Sequence, residues 1–286
     1  MARVERVAIV GVGLIGGSLA LAARAAGLVG EVVGIGRSEA NLAVARQRGI
    51  IDRSVRDPAD LGPVDLVVLA VPVRSTAAAA RALLPHLRPG TLLTDAGSVK
   101  ATVVAEMEAL LSPGLPFVGA HPIAGSEQAG AAAARADLFQ GARCILTPTP
   151  RTDAAALRTV RELWEGVGAR VDDMDAVAHD AALAWVSHLP HAIAYALVGA
   201  LARSGAEAVA LGGASWRDAT RVAASPPELW RDIFLANRDA VLAATDAFAA
   251  ELARLRAAVA GGDGAALEAL LTHATAARRR GGDDRP

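Results

Sequence analysis

The loop Gly11-Val12-Gly13-Leu14-Ile15-Gly16 stands between an apolar run, Val4 to Val10, and a helix-forming run, Leu14 to Ala26, that Gly27 closes. Strand, tight turn and helix in that order predict the βαβ unit that receives a dinucleotide. Each glycine has a mechanical task there: Gly11 makes the turn, Gly13 lets backbone approach a pyrophosphate, and Gly16 lets helix and strand pack closely. The helix start at Leu14 and Ile15 then offers free N–H groups and the positive end of the helix dipole to phosphates.

The end of the second strand reads the adenosine ribose, where an acidic residue would accept from the 2′-hydroxyl. Here the strand ends Val33-Gly34-Ile35-Gly36-Arg37-Ser38, without an acid. Arg37 is suited to stack on adenine and pair with a 2′-phosphate, and Ser38 to donate to it. Of NAD and NADP, that favours NADP. The plainer alternative is an exposed Arg37 on an enzyme that accepts either.

Apolar strand-length runs follow at Glu31 to Ile35, Asp65 to Val71, Thr91 to Asp95, Phe117 to Ala120, Arg143 to Thr147 and Ala169 to Asp172, alternating with helical patterns. Such alternation predicts an α/β Rossmann-like domain, a mostly parallel doubly wound sheet covered on both faces. From about Met174 the alternation stops and helical patterns remain, at 175–203, 205–212, 226–260 and 263–279. The 286 residues suit two domains: a dinucleotide-binding domain over 1–173 and an all-α domain over 174–279, with a charged, disordered tail at 280–286.

A net charge of -1 provides no basic field for nucleic acid. Cys144 is the single cysteine, so no internal disulfide forms, and no Cys/His cluster has zinc-ligand spacing. Arg3 and Arg6 before an apolar stretch resemble a signal peptide, but the stretch holds the dinucleotide glycines. The apolar segment Ala181 to Ala202 is interrupted by Ser187, His188, Pro190 and His191, costly in lipid. A cytoplasmic protein without metal or membrane span is expected.

Ligands of open α/β sheets bind beyond the carboxyl ends of the strands. Two segments with reactive side chains fall there: Asp95-Ala96-Gly97-Ser98-Val99-Lys100, with the only lysine of the chain, and His121-Pro122-Ile123-Ala124-Gly125-Ser126-Glu127. The helical part adds Ser187 to His191, Asp218 to Arg221, and Trp230 to Phe234. His188 and His191, three apart around Pro190, are placed to share one side of a kinked helix. His86 and His273 read as surface residues.

With these motifs the chain resembles the prephenate dehydrogenase family, including its arogenate and cyclohexadienyl dehydrogenase relatives. The matching stretches run from the glycine loop through Asp95 to Lys100, His121 to Glu127, Ser187 to His191 and Asp218 to Asn237. The resemblance implies NAD(P)-dependent oxidative decarboxylation of prephenate to 4-hydroxyphenylpyruvate, or of arogenate to tyrosine, by a homodimer joined through the helical domain. It implies that His121 accepts the ring-hydroxyl proton and that Ser98 bonds the same hydroxyl and helps place the nicotinamide. Arg221 would pair with a substrate carboxylate. His191, with His188 nearby, would face the side chain, and Trp230 would reach the pocket from a second subunit. Glu127 and Asp218 would form an ionic gate with Arg221. Lys100 belongs to the motif, with helix capping and phosphate contact both open as its role. Two rivals remain: a β-hydroxyacid dehydrogenase, which would need a lysine that the helical part lacks, and a dinucleotide-sensing module, which would need no acid–base set.

Overall fold

A computed structural model describes residues 3–126, 128–205 and 207–280. Its strands and helices run β1 (Val4–Val10), α1 (Leu14–Ala25), β2 (Val29–Ile35), α2 (Glu39–Gln47), β3 (Arg53–Val55), β4 (Leu66–Leu69), α3 (Thr76–Leu83), β5 (Leu92–Asp95), α4 (Ala101–Leu110), β6 (Phe117–Pro122), β7 (Arg143–Thr147), α5 (Ala154–Gly166) and β8 (Arg170–Asp173). Then come α6 (Ala176–Leu183), α7 (Leu189–Ser204), α8 (Ala214–Thr220), α9 (Pro227–Ala236), α10 (Arg238–Gly261) and α11 (Gly264–Arg280).

The eight strands form one sheet in the order β3-β2-β1-β4-β5-β6-β7-β8. All neighbours are parallel except β6 and β7, which are antiparallel. Strands from Val7 to Val10 and Leu66 to Leu69 are apolar along their whole length because helices bury both faces. Two apolar clusters result. One gathers Ile9, Leu19, Val32, Phe139 and Trp164, and the other Ala8, Val67, Leu93, Val103 and Met107. The carboxyl ends of β1, β2, β5 and β6 thereby bring the glycine loop, Arg37, Ser98 and His121 to one edge.

Alternation ends at Asp173, yet the chain divides into compact units at Met1–Arg238 and Asp239–Pro286. Helices α6 to α9 belong to the first unit because α6 packs on α4 and β7 while α9 packs on the segment at 73–75. In the second unit, α10 ends at Gly261, and Asp263 caps α11 by accepting from the Ala266 N–H at 2.9 Å.

Three helical expectations change. The pattern over 226–260 is two helices, because Asn237 leaves helical geometry (ψ 36°) and turns its amide inward. The stretch at 205–212 is a short 3₁₀ turn, Glu207–Leu211, and α8 follows where no helix was expected. The segment from 175 to 203 is continuous but carries a π turn at Ala184–His188, two residues before Pro190, whose missing N–H breaks the regular ladder. By length and apolar composition Ala176–Ser204 is able to cross a membrane. Its His179, Asp180 and His188, however, are buried within the first unit and hydrogen-bonded there. The tail expected to be disordered begins at Arg280, the last residue of α11, and its remainder, 281–286, lies outside the described residues.

Candidate active site

At Gly11 the backbone adopts φ +92°, and a side chain would collide with the Ala70 carbonyl oxygen. A Cβ at Gly16 would strike the Gly11 carbonyl oxygen and lie 2.8 Å from Ile9, so α1 rests directly on β1. Gly13 differs: nothing in the protein lies within 4 Å of where its Cβ would be. That open space lies at the start of α1, whose first turn carries neither an acidic residue nor a side-chain cap. Its N–H groups are left to an anion, and the loop fits a dinucleotide pyrophosphate. Asn41 steadies it, donating to the Val12 carbonyl at 2.7 Å and accepting from the Ala131 N–H at 2.8 Å. Arg37 is exposed after β2, and the Ser38 oxygen accepts from the Asn41 N–H at 3.2 Å, capping α2 with its own proton still available.

Ser98, half-buried, lies on the loop from β5 to α4 between two fully buried charges. The Lys100 ammonium pairs with the Asp95 carboxylate and donates to the Ala120 carbonyl at 2.9 Å. Asp95 also accepts from the N–H groups of Gly97 (2.8 Å) and Ala120 (3.0 Å). The lone lysine therefore pins the Ser98 loop to the strand residue before His121. It caps nothing with its side chain and is closed to phosphate.

His121 is the next-to-last residue of β6 with its ring buried, and its Nδ1 lies 2.8 Å from His179 Nε2. Burial, with smaller contributions from the neighbouring His179, Lys100 and His188, holds His121 well below the ordinary imidazole range, so it is neutral at physiological pH. His179 Nδ1 in turn lies 2.8 Å from Asp180 Oδ1. Asp180 also caps α4, accepting from the N–H groups of Lys100 (2.8 Å) and Ala101 (2.9 Å).

His188, on the π turn, is fully buried, and burial pushes it down to about 4. Its Nδ1 lies 3.1 Å from the Asn237 amide nitrogen, which also donates to the Asp180 carbonyl at 2.8 Å. His191 donates from Nδ1 to the Ser187 carbonyl at 2.9 Å, and its ring stacks on Trp230 with centroids 3.4 Å apart. Burial lowers His191 as well, and the nearby Arg221 charge reinforces this. His188 meets the same Trp230 edge to face at 6.1 Å, so the two histidines share one side around the kink.

Trp230 is buried against the histidines of its own chain. Arg221 begins the turn after α8, and Asp218 is exposed one helical turn earlier. Glu127 lies outside the described residues, and the ionic gate with it. Sequence reasoning passed over His179, Asp180, Asn237 and the partnership of Asp95 with Lys100. The signal for the first two was an imidazole and a carboxylate side by side in an otherwise apolar helix, where a buried polar pair needs partners.

Two family models match the chain, "Prephenate dehydrogenase, nucleotide-binding domain" over residues 19–173 and "Prephenate dehydrogenase, dimerization domain" over 175–273. A cyclohexadienyl dehydrogenase of Zymomonas mobilis is 41% identical over 265 residues, covering 91% of this chain and 90% of that protein. Among solved structures, a prephenate dehydrogenase from A. aeolicus in complex with hydroxyphenyl propionate and NAD+ aligns with TM-score 0.90 and 36% identity, covering 96% of this chain and 98% of that one. A Synechocystis arogenate dehydrogenase aligns with TM-score 0.79 and 30% identity, covering 96% and 99%.

Proposed function

The chain belongs to the prephenate dehydrogenase family, and on that premise we propose that His121 is the group that takes the substrate's hydroxyl proton as prephenate is oxidised. The enzyme is an NAD(P)-dependent oxidoreductase. Prephenate is a cyclohexadiene with a ring carboxylate, a pyruvyl side chain and a ring hydroxyl. Hydride leaves the carbinol carbon, the hydroxyl proton goes to a base, and the bond to the ring carboxylate breaks to release CO2. The electron pair of that bond reaches the oxygen, which takes the proton back as the phenol of 4-hydroxyphenylpyruvate. A bound dinucleotide supplies the hydride acceptor.

The observation that carries this reading is a buried histidine held neutral at the ligand edge of a sheet that also bears a pyrophosphate loop. A neutral imidazole has the lone pair that a general base needs. Ser98 bonds the same hydroxyl, and Arg221 holds the ring carboxylate with its planar fork. His191 lines the side-chain end with Trp230 and the buried His188 packed behind it, while Asp218 and Glu127 with Arg221 control entry.

A second reading, arogenate as a further substrate, has one observation in its favour. With its Nδ1 proton on the Ser187 carbonyl, neutral His191 offers Nε2 as an acceptor, which suits an ammonium better than a ketone. We assign NADP as the preferred cofactor on the acid-free end of β2 and the exposed Arg37. Exposed Val177, Trp185, Val186 and Leu197 on α6, α7 and the π turn between them fit a homodimer face, and the buried free Cys144 fits a reducing cytoplasm.

Steady-state assays with prephenate and arogenate, each with NAD and NADP, test the whole reading through reduced-nicotinamide absorbance. Turnover is expected with prephenate and a lower KM for NADP than for NAD. No turnover in any combination would refute it.

A further inference from the structure

Three side chains form a continuous line of hydrogen bonds from the start of α4 to the catalytic edge: Asp180, His179 and His121. The protons along it are assigned by elimination. Asp180 accepts two backbone N–H bonds, one on each carboxylate oxygen, and so acts as a carboxylate acceptor toward His179 as well. With one proton on its ring, His179 carries it on Nδ1, and its Nε2 is a lone pair. Only one proton fits between His179 Nε2 and His121 Nδ1, 2.8 Å apart, so it resides on His121. Nε2 of His121 is then unprotonated. The other ionisable groups around this line, Lys100, Asp95 and His188, are already engaged with Asp95, Ala120 or Asn237.

We propose that His179 is a positioning residue for the reaction: anchored by Asp180, it fixes His121 in the tautomer that keeps the proton on Nδ1 and presents Nε2 as the base. The proposal rests on the assignment of His121 as proton acceptor. In the step itself, the substrate O–H bond breaks and an N–H bond forms on His121 Nε2, giving an imidazolium. Its Nδ1 proton is shared with His179, which draws the positive charge toward Asp180. When the ring has become aromatic, Nε2 returns its proton to the oxygen. Without His179 the other neutral tautomer competes, and that tautomer has a donor where the reaction needs an acceptor.

The first test is independent of turnover. In wild-type protein carrying ¹⁵N-labelled histidine, long-range ¹H–¹⁵N correlation reports which nitrogen of His121 is protonated, and Nδ1–H with a bare Nε2 is expected. A proton on Nε2 would overturn the proposal. Kinetics supply the second arm. His179→Leu lowers kcat by about 10²-fold or more with KM within a few-fold, while His179→Gln, whose carbonyl still accepts from Nδ1–H, keeps a larger share. A His179→Leu enzyme with undiminished kcat, or a Gln variant no better than Leu, overturns the proposal. His121→Asn separates the two readings: if it keeps full kcat, the base assignment itself fails, whereas its loss beside an active His179→Leu enzyme removes only the role of His179.

Discussion

Replacing Lys100 by Met keeps most of the side-chain length and deletes the charge that Asp95 faces. Both groups are fully buried, so no water enters to compensate. Breaking a buried pair from one side costs roughly 3–5 kcal/mol because the remaining charge is left uncompensated. Asp95 keeps its bonds from Gly97 and Ala120, so the lower end, about 3 kcal/mol, is expected. For a domain of this size that is a fall in melting temperature on the order of 6–12 °C. Asp95→Asn with Lys100→Met removes both charges and restores a substantial part, since a neutral pair no longer buries an ion. Thermal denaturation of the wild type, both single variants and the double variant measures the coupling. Additive single effects, or a Lys100→Met loss within about 0.5 kcal/mol of zero, would refute the buried pair as the tie between the Ser98 loop and the strand of His121.

The glycine loop predicts a split between binding and stability. Gly13→Ala leaves the melting temperature nearly unchanged but weakens dinucleotide binding in calorimetric titration, because its methyl enters the open space above α1, whereas Gly16→Ala destabilises the fold by collision with Gly11. Equal effects of the two on stability would contradict this. His188 sets an acid limit on stability. Its folded value of about 4 lies below the usual 6.5, so the unfolded chain binds more protons between them; stability is full above about pH 6.5 and falls toward pH 4 by on the order of 3 kcal/mol. Urea midpoints at pH 7 and pH 5 should differ in the wild type and less so in His188→Asn, and identical pH dependence in both would rule the effect out. Arg221→Ala should raise KM for prephenate about 10- to 100-fold with kcat little changed, and steady-state kinetics in which kcat alone falls would take Arg221 out of substrate binding.

Much of this molecule was readable before the structure because its constraints are local. Gly11, Gly13 and Gly16 act within one turn, and the strand–helix alternation is a short-range pattern. His121 and the pair His188 and His191 stood out because Gly and Pro interrupt the chain beside them. The supporting network was hidden for the opposite reason. Asp180 reaches the N–H of Lys100 across 80 positions, and Asn237 reaches His188 across 49. Nothing in the neighbourhood of either residue announces a partner so distant. The helix break at Asn237 lacked a Gly or Pro to mark it, since a tertiary hydrogen bond, and not local propensity, causes it. Lys100 was conspicuous as a singleton, but only its burial beside Asp95 explains what it does.

The pH dependence of kcat, measured with saturating prephenate and cofactor on the wild type and His121→Asn, decides whether neutral His121 is the base. Burial lowers His121, and the neutral form is the active one, so the acid limb should fall below the usual imidazole value of about 6.5. His121→Asn should lose that limb along with about 10²- to 10⁴-fold in kcat. A wild-type limb at or above pH 6.5, or a His121→Asn enzyme with the wild-type rate and profile, would rule out a neutral His121 as the base.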